Sequence, residues 1–521
     1  MTAPFRRVLV ANRGEIAIRI IRACHEAGME AVAVYSDADA EARHVRMADL
    51  AVHIGPAAPT ESYLRGDAIV AVAIASGAEA VHPGYGFLAE RASFARAVED
   101  AGLVFVGPPS SVIDALGDKL HARRIARDVG VPVVPGTLEP AAVDRADRVA
   151  SIVAEAESIG YPLLVKAAAG GGGRGMRRVT SSQGLPAALA DGSREAASAF
   201  GDGAVYLERE LVPARHIEVQ LLGDATGRVV AIGERDCSLQ RRHQKLVEEA
   251  PAPGLTVDGR RELHELATRV ATAAGLRNAA TAEFLRAADG SFYFLEVNTR
   301  LQVEHGVTEL VTGLDIVQEQ FALAAGRPLS RRAEDAAARA AEPTGHAIEV
   351  RITAEDPARD FRPDPGRVRH WAMPAGPGVR VDTAIGAGDR IPPEYDNLVA
   401  KLMVHAADRK LAIGRLHRAL DETEIAGIQT TLPFHRFVAR DPSFLAGDLS
   451  TGWVGEHWDG AACLAEATRV AELAAGLDAL GDGLATAAAI GFDSAPAGAS
   501  GPSDGLWARS GRLAATDRWP G

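Results

Sequence analysis

Arg7-Val8-Leu9-Val10-Ala11, then Asn12-Arg13-Gly14-Glu15, then Ile16, Ile20, Ile21, Cys24 and Ala27 at helical spacing before Gly28: the opening of this chain reads as a buried strand, a turn and a helix with a glycine stop. Ala31 to Tyr35 supplies a second strand and Ala68 to Ala75 a further helix, while Ala80-Val81-His82 and Leu103-Val104-Phe105-Val106 read as more strands. Strands alternating with helices predict βαβ units and a mostly parallel sheet, hence an α/β fold. The first turn holds a single glycine and lacks GxGxxG, which disfavours a dinucleotide site.

Working outward, a second α/β unit begins near Lys119 and holds Tyr161 to Ala169, a glycine run, and a strand-rich stretch from Val205 to Ile232. A third block, about Gly345 to Asp448, starts with the strand Ala347 to Ile352 and is then punctuated by prolines, which suggests a compact β-containing unit. Ala461 to Ala488 has helical periodicity, and Asp493 to Gly505 reads as a linker. A chain of 521 residues fits roughly two to four such domains. Its net charge of −13 makes binding to a phosphate backbone a poor expectation. No apolar run approaches the roughly 18 residues of a membrane span, and the apolar stretch after the first arginines is too short for a signal peptide. Cys24, Cys237 and Cys463 lie far apart with no CxxC spacing, so a cytoplasmic location is the expectation.

Of the 56 basic side chains only five are lysine: Lys119, Lys166, Lys245, Lys401 and Lys410. Where arginine serves as the general cation, a retained lysine suggests a need for a compact ammonium. Lys166 ends an apolar strand and precedes the run Gly170-Gly171-Gly172-Gly173-Arg174-Gly175. Glycines let backbone N–H groups approach phosphate oxygens closely, although no Walker A motif is present; the bland alternative is a flexible loop.

From Phe292 to His305 an apolar strand start gives way to Glu296, Asn298, Arg300, Gln302 and Glu304 at every second position. If the segment stays extended, five polar groups share one face. An exposed edge strand also alternates, but this mixture of carboxylates, amides and a guanidinium points to a site. Glu296 and Asn298, with Glu283, offer hard oxygen ligands for Mg²⁺. Arg300 and Gln302 could grip a small oxyanion, and Glu304 is placed as a base. The dense charges of Glu234 to Pro253 could be a solvated loop, yet the retained Lys245 argues for an anion near it.

Together these segments resemble the biotin carboxylases of the ATP-grasp superfamily. The carrying motifs are Ala11-Asn-Arg-Gly-Glu-Ile-Ala, His82-Pro-Gly-Tyr-Gly-Phe-Leu-Ala-Glu90, Gly117-Asp-Lys119, the glycine run, Glu234 to Pro253, and Glu296-Val-Asn-Thr-Arg-Leu-Gln-Val-Glu-His305. The resemblance implies a Rossmann-like pre-ATP-grasp domain over residues 1–118 and an ATP-grasp domain over 119–340 with a mobile glycine-rich lid at about 138–206. It also implies a β-rich C-terminal domain over 341–450 and a helical and linker tail over 451–521. The implied reaction joins bicarbonate, ATP and Mg²⁺ (or Mn²⁺) into carboxyphosphate, whose CO₂ is attached to the ureido nitrogen of carrier-borne biotin. By the same resemblance, Lys119, Lys166, Gly171, Gly172 and Gly173 hold ATP phosphates. Glu208 and Leu211 form the adenine hinge, and His216, Gln240 and His243 line the nucleotide pocket. Glu283, Glu296 and Asn298 bind the metal; Lys245, Arg300, Gln302 and Val303 form the bicarbonate pocket; Glu304 is the base. Arg351 stabilises the biotin enolate, and Tyr85 and Gly86 approach the biotin ring.

Two departures stand out. Gly306 follows His305 where the family more often has proline or a β-branched residue, so a looser chain is expected there. Arg209 replaces a common lysine in the hinge. Lys401 is expected to be structural or a dimer contact, and Lys410 a surface residue. No lysine follows Lys410 and no methionine follows Met403, so the biotin is expected on a carrier acting in trans or on a domain missing from this sequence. Expected partners are that carrier, a carboxyltransferase subunit and a second copy of the chain, with no nucleic acid and no membrane. Two alternatives remain at this level: another ATP-grasp carboxylate–amine ligase, or a catalytically silent ATP-binding scaffold.

Overall fold

The strand Arg7–Val10 pairs in parallel with Glu30–Ser36 on one side and Ala80–His82 on the other. Leu50–Gly55 and Val104–Phe105 complete a five-stranded parallel sheet, as the alternation predicts. The computed structural model describes residues 3–141, 146–168, 176–465, 467–473 and 475–476. The expected phosphate-binding glycines Gly171, Gly172 and Gly173 therefore lie outside the described residues, as does the linker Asp493 to Gly505. Of the expected tail helix, residues 460–465 and 467–473 are described and helical.

In the five-stranded sheet the chain order reverses between Arg7–Val10 and Ala80–His82, the place where open α/β sheets bind ligands. Asn12 clamps the two loops leaving these strands, its amide donating to the Pro83 and Tyr85 carbonyls at 2.7 Å each. Gly84 sits at φ +64°, and a Cβ there would press on the Asn12 side chain. That clamp sets where Tyr85 and Gly86 emerge.

The centre of the molecule is one antiparallel sheet of eight strands. In order these are Phe292–Asn298, Asn278–Ala287, Ala214–Gly223, Val229–Arg241, Gln244–Ala250, His346–Thr353, Leu398–Ala406 and Val379–Thr383. Gln244–Ala250 pairs with His346–Thr353, Val247 facing Val350, so hydrogen bonding runs unbroken between the second and third blocks of the sequence. A separate three-stranded sheet holds Leu163–Ala167 between Arg177–Val179 and Val205–Arg209. Apolar residues such as Ile348, Leu402, Phe434, Phe444 and Trp453 cover the third-block end of the large sheet. The charged run Glu234 to Pro253 is no solvated loop: Glu234, Arg235 and Asp236 are all buried within the central strands.

Candidate active site

Strand register lines up charge across the sheet. Arg235 faces Glu218, Glu218 faces Glu283, and Glu283 faces Glu296, on four neighbouring strands. Like charges directly opposite one another repel, so this row stands only because cations are threaded between its members. Arg235, fully buried, donates to Glu218 at 2.5 Å. Lys245 Nζ donates to Glu218 at 2.5 Å, Glu283 at 3.0 Å and Glu304 at 2.7 Å. His216 lies 3.0 Å from Glu283, and Lys119 lies 2.6 Å from Glu296. Burial alone would raise Glu283, but Lys245 and His216 hold it well below the ordinary carboxylate range.

The segment after Glu296 differs from the fully extended reading. The strand ends at Asn298, and a helix begins at His305. Only Glu296 and Asn298 are strand residues; Arg300, Gln302 and Glu304 occupy an irregular turn. Side-chain bonds gather them instead. Arg300 donates to Asn298 Oδ1 at 3.1 Å and to Gln302 Oε1, while Glu90 holds its other edge at 2.9 Å. Glu304, completely buried, accepts from Lys245 on one oxygen and from Arg351 at 2.9 Å on the other. Burial by itself would raise its pKa; Lys245, Arg351 and Arg235 reverse this and keep it well below the usual range. Arg351 is shared with Glu248 at 2.6 Å, and burial together with the Glu304 charge pushes Glu248 up to about 7.

Gly306 is not a loosening. It is buried in the first turn of the helix His305–Thr312, where a Cβ would run into Met403 Sδ. The glycine buys a close approach of that helix to the strand Leu398–Ala406. Nor does Lys401 lie where a second copy could touch it: it is completely buried within the chain.

At the other end of the cavity, Asp118 caps the helix Lys119–Asp128 by accepting from the Leu120 and His121 amides. The cap places Lys119 at the helix start, a position whose dipole favours anions. Lys166, from the small sheet, donates to Glu208 at 2.6 Å, and Arg123 takes the other Glu208 oxygen at 2.5 Å. The Glu208 carboxylate is therefore consumed inside the protein, leaving its backbone and Leu211 for contact with a ligand. Arg242 and His243 turn the hairpin between the strands Val229–Arg241 and Gln244–Ala250 with φ of 49° and 65°. Two non-glycine residues in this region store strain at the cavity wall.

All the described candidates meet around one cavity of about 1230 Å³: Tyr85, Gly86, Lys119, Lys166, Glu208, Leu211, His216, Gln240, His243, Lys245, Glu283, Glu296, Asn298, Arg300, Gln302, Val303, Glu304 and Arg351. The oxygen donors of Glu283, Glu296 and Asn298 are hard ligands and suit Mg²⁺. The grouping of Glu218, Cys237 and Glu304 includes a thiol, a soft donor that does not suit Mg²⁺. Sequence reasoning missed Glu218, Glu248 and Glu90 as charge partners. The available signal for Glu218 was the strand His216-Ile217-Glu218-Val219-Gln220, whose alternate polar residues are all buried.

Three family models match in succession: the biotin carboxylase N-terminal domain over residues 4–113, the carbamoyl-phosphate synthase L chain ATP-binding domain over 118–332, and the biotin carboxylase C-terminal domain over 349–456. The chain belongs to the biotin carboxylase family. Its activity is that of an ATP-dependent ligase. It is 48% identical to the biotin carboxylase of Pseudomonas aeruginosa, over 85% of this chain and 96% of that one. It is 49% identical to the biotin-dependent acyl-coenzyme A carboxylase alpha3 subunit of Mycobacterium leprae, over 87% of this chain and 75% of that one. The structure of a biotin carboxylase–beta-gamma-ATP complex from Campylobacter jejuni matches with TM-score 0.83 and 42% identity, covering 87% of this chain and 99% of that one. The biotin carboxylase domain dimer of Hydrogenobacter thermophilus 2-oxoglutarate carboxylase, with MgADP and bicarbonate, matches at 0.82 and 44%, covering 87% and 98%. Among the described residues no helix is long and apolar enough to cross a membrane.

Proposed function

We propose that this cavity carries out the biotin carboxylase half-reaction with the following division of labour. The reading rests on one observation above others: Lys245 and Arg351 converge on the two oxygens of buried Glu304, beside the Arg300–Gln302 pair. Lys119 and Lys166 turn from their carboxylate partners to the phosphates of ATP, which phosphoryl transfer requires more than covalent help. Glu283, Glu296 and Asn298 would hold Mg²⁺, which neutralises phosphate charge when bound. Lys245, Arg300, Gln302 and the Val303 backbone hold bicarbonate, and Glu304 takes its proton.

A carboxylate with a depressed pKa is a weak base in isolation. The same cations that depress it act more strongly on bicarbonate, whose deprotonated form carries two charges and gains more from them. The proton transfer is thus helped from the acid side, and Glu304 is in its accepting form at every ordinary pH. The bicarbonate oxygen attacks the γ-phosphorus, ADP leaves, and carboxyphosphate breaks into CO₂ and phosphate beside Arg351; the phosphate takes the ureido N–H proton of biotin, and the nitrogen so freed forms its bond to CO₂. That guanidinium, kept charged, stabilises the oxyanion of the biotin enolate as it forms. Tyr85 lines the same cavity. Biotin arrives on a carrier domain and leaves carboxylated for a carboxyltransferase, and the chain works within a homodimer or larger assembly.

The test is ADP release by the purified chain with ATP, Mg²⁺, bicarbonate and free biotin. Release that needs both bicarbonate and biotin is expected. Release driven instead by an amino acid or a purine precursor would point to another ATP-grasp ligase, and no release above background to a silent scaffold.

A further inference from the structure

Residues 299–304 carry the proposed anion pocket and base, yet they belong to neither strand nor helix. Three consecutive carbonyls in this turn are each held by a side chain. Arg300 donates to the Leu301 carbonyl at 3.2 Å, and His305 Nδ1 lies 2.7 Å from that of Gln302. Both of these come from the turn itself or its next residue. The third comes from a distant strand: Lys401 Nζ donates to the Val303 carbonyl, the peptide unit immediately before Glu304, at 2.8 Å.

Lys401 stands opposite both Arg351 and Asp382 in the sheet register. Its ammonium is completely buried, 3.4 Å from Glu15 at the start of the helix Gly14–Glu26 and 3.8 Å from Asp382. It also lies 5.9 Å from the centre of the Tyr85 ring, within reach of that ring's face. One cation therefore touches the first, second and third blocks of the chain. At the point where they meet it contacts two groups assigned here to substrate: the Val303 backbone and Tyr85. Three carboxylates surround it. Burial would lower its pKa, but Glu15, Glu349 and Asp382 reverse that, so it stays charged. The site is closed to solvent, and lysine here, in a chain that otherwise prefers arginine, supplies a compact ammonium.

We propose that Lys401 is a positioning residue of the reaction, fixing the Val303–Glu304 peptide and the Tyr85 ring so that bicarbonate and biotin meet the base in one geometry. The inference rests on the assignment of bicarbonate to this pocket. Loss of a charged donor to a single carbonyl in a binding turn predicts a loss of about tenfold in the function of that turn.

The experiment is steady-state kinetics on Lys401→Met and on the charge-balanced double variant Lys401→Met/Glu15→Gln. The double variant removes the carboxylate nearest the lysine along with it, while Asp382 keeps Arg380, and keeps the test open should the single variant fail to fold. The expected result is a bicarbonate KM raised about tenfold and a lower kcat with free biotin, while the ATP KM stays within about twofold. A bicarbonate KM that does not move in a folded variant, or that moves by the same factor as the ATP KM, overturns the proposal, since a lysine that only stabilises the fold would give one or the other. If the wild-type chain itself shows no bicarbonate-dependent turnover, the pocket assignment fails first, and the two failures are told apart by the parent protein.

Discussion

Replacing Glu304 by glutamine separates the proton acceptor from the scaffold that holds it. The carboxylate takes one bond from Lys245 at 2.7 Å and one from Arg351 at 2.9 Å. Bonds to charged groups are worth about 1.5–3 kcal/mol each. The amide keeps one accepting oxygen, so one bond is lost and an N–H is turned towards a cation. Two features blunt that cost. Lys245 retains Glu218 and Glu283, and Arg351 retains Glu248. Glu248, raised to about 7 by burial and by the neighbouring Glu304 charge, ionises more completely once that charge is gone. The net loss of unfolding free energy is then about 1–2 kcal/mol. Removal of a general base should lower turnover by about 10²–10⁴, equivalent to about 3–5 kcal/mol of barrier. The assay is bicarbonate-dependent ADP release with free biotin, run beside urea unfolding of the same preparation. Turnover within about threefold of wild type would refute the role, as would an activity loss that merely follows the folded fraction.

Glu15 is raised to about 7 from an ordinary 4.5, burial outweighing the pull of Lys401. A raised carboxyl contributes stability that is full below its unfolded value and lost as pH climbs through the folded one. Unfolding free energy should therefore fall between about pH 4.5 and 7, and Glu15→Gln should flatten that slope by a few kcal/mol, measured by urea melts at the two ends of the window. For the metal, chelation should abolish ADP release, and Glu296→Gln should raise the Mg²⁺ needed for half-maximal rate by roughly 10–100-fold; titration of Mg²⁺ against rate checks both. Glu249 is buried between His346 at 2.8 Å and Arg409 at 2.8 and 3.0 Å, which hold it at about 2. Glu249→Ala leaves Arg409, which is partly exposed, with only the Phe444 and Leu445 carbonyls and should cost about 1–3 kcal/mol of stability, read as a lower urea midpoint.

Much of the site could be read from the sequence because the chemistry uses residue types that are conspicuous in their context. Five lysines among many arginines singled out Lys119, Lys166 and Lys245, and all three line the cavity. The alternating polar residues from Glu296 onward were also visible, but the period of two held only as far as Asn298. The rest converge because a turn and its cation partners fold them together, which no periodicity encodes. Glu218 and Glu248 escaped notice for a related reason: a charged residue inside an apolar strand has meaning only once the register shows which cation faces it. The parallel sheet of the first block followed from strand–helix alternation. The pairing of Gln244–Ala250 with His346–Thr353 joins segments nearly a hundred residues apart, and local pattern carries no signal for that.

That pairing has a consequence for which changes the chain can tolerate. Lys245, Glu283, Glu296 and Arg351 stand on strands of that one sheet and are spaced like marks on a single ruler, each graduation being one hydrogen-bonded step. Inserting or deleting one residue in Gln244–Ala250 or His346–Thr353 would turn the following side chains of that strand to the opposite surface; ahead of Arg351 in the second of these it would exchange Arg351 for an apolar neighbour. Variation in length should therefore be confined to the connections between strands, and a natural or engineered insertion found inside either segment should come paired with a bulge that restores the count.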